Sequence, residues 1–156
     1  MDGCLACDLY AGRRPLPGGL ILQTGGWNVS HCVGPLGVGT LIVAPQRHVL
    51  HVWELDERES AALGPLLQRT TAVIAALTSP DQVYVNLWSH ADREPVHVHF
   101  VVQPVTRATL REWDAHGPRL QVAMFTRGDP PPAAEAAAFA ERARQALGGE
   151  ARDRRR

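Results

Sequence analysis

The sequence predicts an α+β fold: a mostly antiparallel sheet of about five to six strands, one long helix packed beside it, and a second helix near the C-terminal end. Three observations carry this. Short β-rich runs alternate with Gly- and Pro-rich turns, a capped apolar-striped segment begins after Asp56, and an alanine-rich stretch follows a run of prolines at 130–132.

The elements follow in order. Residues 1–19, rich in glycine, proline and arginine, read as a loop enclosing Cys4-Leu5-Ala6-Cys7. Residues 19–23 and 27–33 are β-rich runs separated by Thr24-Gly25-Gly26, a hairpin turn. A second turn region at 34–39 feeds the apolar strand 40–44, which Pro45 ends. Asp56 and Glu59 have the spacing of a capping box, and Leu63, Leu66, Leu67, Val73, Ile74 and Leu77 form the stripe of a helix over 56–77, with a possible kink at Gly64-Pro65. Residues 82–88 alternate as a strand, 89–95 connect it to the next strand, and 120–125 read as one more strand. Residues 133–147 are helical. The domain is expected to span 1–147, with 148–156 a basic, disordered tail.

Composition narrows the function. A chain of 156 residues that is 45% hydrophobic and 21% charged is large enough for a core without disulfides, and its apolar runs are too short to cross a bilayer. The expectation is a cytoplasmic protein without membrane association, since no basic-then-apolar leader opens the chain. Zero formal net charge argues against nucleic acid as the partner and for a small molecule. All 16 residues counted as lysine or arginine are arginine, which excludes Schiff-base chemistry and a Walker-type phosphate loop.

The most informative stretch is 95–104, Pro-Val-His-Val-His-Phe-Val-Val-Gln-Pro. In a strand, Val96, Val98, Phe100 and Val102 share one face and His97, His99, Val101 and Gln103 the other. Burying two imidazoles among β-branched residues requires a partner for each nitrogen: a metal, a ligand or neighbouring carbonyls. Cys4 and Cys7 have the spacing of two ligands for one tetrahedral zinc ion; redox chemistry is the competitor, but it calls for strand and helix flanks. His48, just after Pro45, and His97 would complete a closed site of Cys4, Cys7, His48 and His97, with His51 the alternative to His48. His31 and His116 read as core or surface residues, and Trp53, Trp88 and Trp113 as packing residues.

Cys-x-x-Cys, a strand ending in Pro-x-x-His, a capped helix, a strand bearing Asn86 and then His-x-His running into proline occur here in an order that resembles the histidine triad superfamily, over residues 4–104. The resemblance implies a nucleotide hydrolase or nucleotidyltransferase in which the second motif histidine, His99, attacks phosphorus and forms a covalent nucleotidyl-imidazole intermediate. It implies a structural zinc held by Cys4, Cys7, His48 and His97, and a homodimer. Asn86 corresponds to the asparagine or glutamine the family carries on the preceding strand.

The chain also departs from the pattern. The third motif position, histidine in most of the family and glutamine in its galactose-1-phosphate uridylyltransferase branch, is Val101, which cannot donate to a phosphate. Gln103 shares that strand face and is assigned to substrate binding. Arg93 stands where the family's loop glutamine would lie and can offer positive charge to phosphoryl oxygens, with Asp92 and Glu94 opposing it, and His90 is a candidate proton donor. Cys32 aligns with the position that holds ribose hydroxyls.

Two other readings fit the same residues. One is a zinc-stapled protein that binds a nucleotide or partner without turning it over. The other is an open-site catalytic metal held by His97, His99 and a third histidine, against which the long helix after Asp56 and the lack of a suitably spaced carboxylate both count.

Overall fold

The computed structural model describes residues 3–89 and 97–153. Five strands form one antiparallel sheet in the order β1-β2-β3-β5-β4: β1 Leu20–Thr24, β2 Trp27–His31, β3 Leu41–Pro45, β4 Gln82–Trp88 and β5 His99–Val105. Helices α1 Leu5–Tyr10, α2 Glu57–Thr78, α3 Arg107–Trp113, α4 Pro118–Arg127 and α5 Ala133–Asp153 complete it, making the fold α+β. Among the described residues, no helix is long and apolar enough to cross a membrane.

The β1–β2 hairpin turns on Gly25 and Gly26, with φ of +56° and +87°, as a two-residue turn with both centres left-handed requires. A Cβ on Gly25 would sit 2.5 Å from Cβ of Ala62, and one on Gly26 would sit 2.8 Å from Cγ of Glu59. The turn is therefore pressed against α2. That helix starts on the expected capping box: Asp56 accepts from the Glu59 N–H and Glu59 accepts from the Asp56 N–H. It continues through Pro65, burying Leu66, Thr70, Val73 and Ile74.

Both faces of the sheet are covered. On one, Ile21, Trp27, Val29, Leu41, Val43 and Val102 pack against α2 and α5 through Leu66, Val73, Ile74, Phe139 and Leu147. On the other, Val101 and Val105 of β5 pack with Cys32 and Leu36 beneath Leu120 and Met124 of α4. Each such aliphatic side chain contributes about 1.5–3 kcal/mol on full burial. Pro104 lies in β5 beyond the ladder with β3, which ends at Leu41 opposite Val102, so only its β4 side is paired.

Three expectations are corrected. Residues 120–125 are helical, within α4: Gly117 and Pro118 open the helix, Leu120 and Met124 are buried one turn apart, and Val122 and Phe125 face solvent. The alternation of Leu-Gln-Val-Ala-Met-Phe had matched a strand equally well. Residues 5–10 form a short helix in place of a loop, and α5 continues to Asp153 instead of ending at 147. Helix α3, capped by Thr106 accepting from the Thr109 N–H, was not expected. Pro95 and Val96 lie outside the described residues, and His97 and Val98 precede the strand.

Candidate functional site

Cys4 caps α1 and Cys7 lies one turn into it, so both thiols face one side of the helix. His48 follows β3 and His97 leads into β5, and the backbone N–H of Val98 donates to the Val49 carbonyl at 2.8 Å, holding the two segments side by side. The structure brings Cys4, Cys7, His48 and His97 together, with one ligand atom from each lying within 4.8 Å of all the others. Sγ of Cys4 is 3.5 Å and Sγ of Cys7 3.5 Å from Nδ1 of His97, and Sγ of Cys7 is 3.4 Å from Nδ1 of His48. For Zn–S near 2.3 Å and Zn–N near 2.0–2.1 Å, the sulfur–nitrogen edge of a tetrahedron is about 3.5 Å. The donor set fits zinc in geometry and in charge, because two thiolates would balance the dication.

The protonation pattern agrees. A carbonyl can only accept, so the contact between Nε2 of His97 and the Arg47 carbonyl places the ring proton on Nε2 and turns the Nδ1 lone pair towards the thiols. Burial lowers the His97 pKa from its ordinary value, against an upward pull from that carbonyl, and burial raises the Cys7 thiol. Without a metal His97 and Cys7 are thus biased to their neutral forms, and binding a cation through Cys7 must release its thiol proton. His51 is not part of the cluster: its ring stacks on Trp53 at 4.2 Å.

Arg47 ties this corner down with its side chain as well. Its guanidinium donates to both Glu59 carboxylate oxygens, at 2.8 and 2.7 Å, and to the Glu54 carbonyl. Glu59 is buried, its backbone carbonyl accepts from the indole N–H of Trp27 at 2.9 Å, and Arg47 holds its carboxyl below the usual carboxylate range. One residue therefore links the cap of α2 to the candidate metal ligand.

One strand step beyond His97, His99 donates its Nδ1–H to the His97 carbonyl at 2.8 Å. That places the ring proton on Nδ1 and the lone pair on Nε2 of a half-buried imidazole. Across β4, Trp88 is opposite His99, Asn86 opposite Val101 and Tyr84 opposite Gln103. Asn86 is half-buried, and its Nδ2 has no partner among the described residues.

The other sequence-assigned substrate residues lie under α4. Val101 and Gln103 are 2% and 1% exposed, and Gln103 donates to the Leu36 carbonyl and the Met124 sulfur, both at 3.1 Å. Cys32 is buried, accepts from the Gly34 N–H, and its thiol is pushed up to about 11 by burial. A cavity of about 360 Å³ opens beside Gln103, Leu36, Trp113 and Met124. His90 and Arg93 lie outside the described residues.

Among the remaining histidines, His31 is a satisfied core residue bonded to the Cys32 carbonyl and the Gly39 N–H, while His116 is exposed. Arg47, Tyr10 and Gln121 were not identified from the sequence. Tyr10 is pushed up to about 12, chiefly by burial, with Ser30, on the strand before Cys32, pulling the other way. Gln121, on α4, accepts from the Trp88 indole N–H at 2.8 Å.

No protein-family model matches the chain, and no curated protein does. Solved structures do. A Hit-like protein involved in cell-cycle regulation from Bartonella henselae superposes with a TM-score of 0.69 at 13% identity, over 94% of this chain and 97% of that one. A zinc-bound histidine triad family protein from Mycobacterium smegmatis gives 0.64 at 17%, over 96% of each. A hypothetical histidine triad nucleotide-binding protein from Sulfolobus tokodaii gives 0.65 at 15%, over 94% and 93%. The chain thus has the histidine triad fold.

Proposed function

We propose that this chain is a zinc-stapled histidine triad enzyme that hydrolyses or transfers a nucleotidyl group through His99. The hydrogen bond from Nδ1 of His99 to the His97 carbonyl carries the reading, because it leaves Nε2 as the nitrogen that can attack. Nε2 forms a bond to phosphorus while the bond to the leaving group breaks. The leaving group takes a proton from His90 or solvent. Water then attacks phosphorus, the N–P bond breaks, and imidazole is regenerated. Asn86 and Arg93 orient the phosphate, and Cys32 and Gln103 are assigned to the rest of the substrate. A bound zinc would supply structure, pinning α1 to the segments on either side of His48 and His97.

The working form is read as a cytoplasmic homodimer. Among the described residues, edge strand β4 pairs only with β5, and it exposes Val85 and Leu87, an apolar strip suited to a second copy. The neutral net charge supports a small nucleotide or phosphorylated molecule as substrate, with no nucleic-acid or membrane partner.

A second reading, binding without turnover, is favoured by one observation: Val101, Cys32 and Gln103 are packed beneath α4. Phosphorus NMR across a panel of nucleoside phosphoramidates and dinucleoside polyphosphates separates the two. Turnover that disappears in His99→Ala is expected. Binding without turnover of any member would replace the enzyme by the binder.

A further inference from the structure

The geometry points to Gln121 of α4, together with Asn86, as the hydrogen-bond donors to the phosphoryl oxygens beside His99, filling the place that Val101 leaves empty. The inference rests on the phosphoryl reading of His99. An indole N–H only donates, so the 2.8 Å bond from Trp88 fixes the Gln121 amide with Oε1 towards Trp88 and its NH2 turned elsewhere. That NH2 is buried on a residue with 0% exposure and has no partner among the described residues. Buried amide donors in native proteins are ordinarily paired.

Two strand relationships locate these donors. Trp88, which holds Gln121, lies directly opposite His99, and directly opposed strand residues have Cβ atoms about 4.5–5.5 Å apart. Asn86 shares the Trp88 face of β4 and lies opposite Val101, and its own Nδ2 is likewise unpartnered. Two amide donors without an acceptor among the described residues are therefore tied, one through Trp88 and one directly, to the β4 positions opposite His99 and Val101. Phosphoryl oxygens, which carry negative charge and accept from N–H groups, would satisfy both, in keeping with the phosphoryl reading of His99. Gln121 is a positioning donor; the nucleophile remains His99.

The test uses the full chain, AMP and inorganic phosphate. In a 1H–15N spectrum of the wild-type protein, the assigned side-chain NH2 of Gln121 is expected to shift on titration with either ligand. Gln121→Leu is expected to slow nucleotidyl adduct formation at saturating substrate by about 100-fold, with a smaller change in apparent KM. Gln121→His, which restores an N–H, is expected to recover part of that rate.

A Gln121 NH2 that neither ligand moves overturns the inference, even if Gln121→Leu fails to fold. An adduct that forms as fast in folded Gln121→Leu as in wild type also overturns it, and leaves the His99 reading standing. A shifted NH2 in a protein that forms no adduct keeps the donor and removes the transfer reaction.

Discussion

The backbone carbonyl of Arg47 accepts the Nε2–H of His97, while the Arg47 guanidinium grips Glu59 at the start of α2. A single residue thus sets the tautomer of a candidate zinc ligand and anchors that ligand's support to the long helix. His97 in turn offers its own carbonyl to Nδ1 of His99. The orientation of the proposed nucleophile therefore depends on a chain of contacts running back to the core.

Replacing Arg47 by Met keeps the carbonyl but removes the fork to Glu59. Groups that orient a metal ligand typically alter affinity 10–100-fold, and Arg47→Met is expected to weaken zinc binding by about tenfold. Competition with a chromophoric chelator measures this, and unchanged affinity would separate the Glu59 contact from the metal site.

Cys4→Ser and Cys7→Ser remove the two candidate thiolate ligands, which would carry the negative charge of a zinc-bound site. Wild-type protein is expected to hold about one zinc per chain and the double variant almost none, with a lower melting temperature. Elemental analysis after desalting decides it, and full zinc in the double variant would rule out the cysteines as ligands.

Gly25 has a left-handed backbone and no space for a methyl group against Ala62. Gly25→Ala is expected to destabilise the fold by about 1–3 kcal/mol, read as a lower denaturant midpoint with an unchanged slope. A midpoint equal to that of wild type would show that the hairpin tip can move off α2.

Burial lowers the pKa of His31, and its Nε2 must stay unprotonated to accept the Gly39 N–H. The folded pKa lies below the unfolded value near 6.5, so the unfolded chain binds the proton first. The contribution of His31 to stability is complete above about pH 6.5 and is lost as pH falls towards the folded pKa. NMR titration of the His31 ring protons is expected to give a midpoint below 6.5, and a midpoint at or above that value contradicts the arrangement.

Much of the fold was legible because particular residues have few alternatives. Gly25-Gly26 between β-rich runs marks a hairpin, Asp56 and Glu59 mark a helix start, and residues 82–88 alternate cleanly; each lies where expected. The four-residue cluster was legible because cysteines and histidines at these spacings have little reason to meet otherwise. Helix α4 was not, since six residues of Leu-Gln-Val-Ala-Met-Phe satisfy either period, and tertiary contact with Val101 decides between them. The covering of Cys32 and Gln103 followed from that and was equally hidden. The role of Arg47 at His97 is a backbone contact, which no side-chain pattern encodes.

The central claim is that His99 acts as a nucleophile towards phosphorus. Intact-mass spectrometry of the protein incubated with adenosine phosphoramidate tests it most directly. A single nucleotidyl adduct that forms on wild type and is absent from folded His99→Ala is the predicted result. An adduct that persists in His99→Ala, or turnover without dependence on His99, would contradict it.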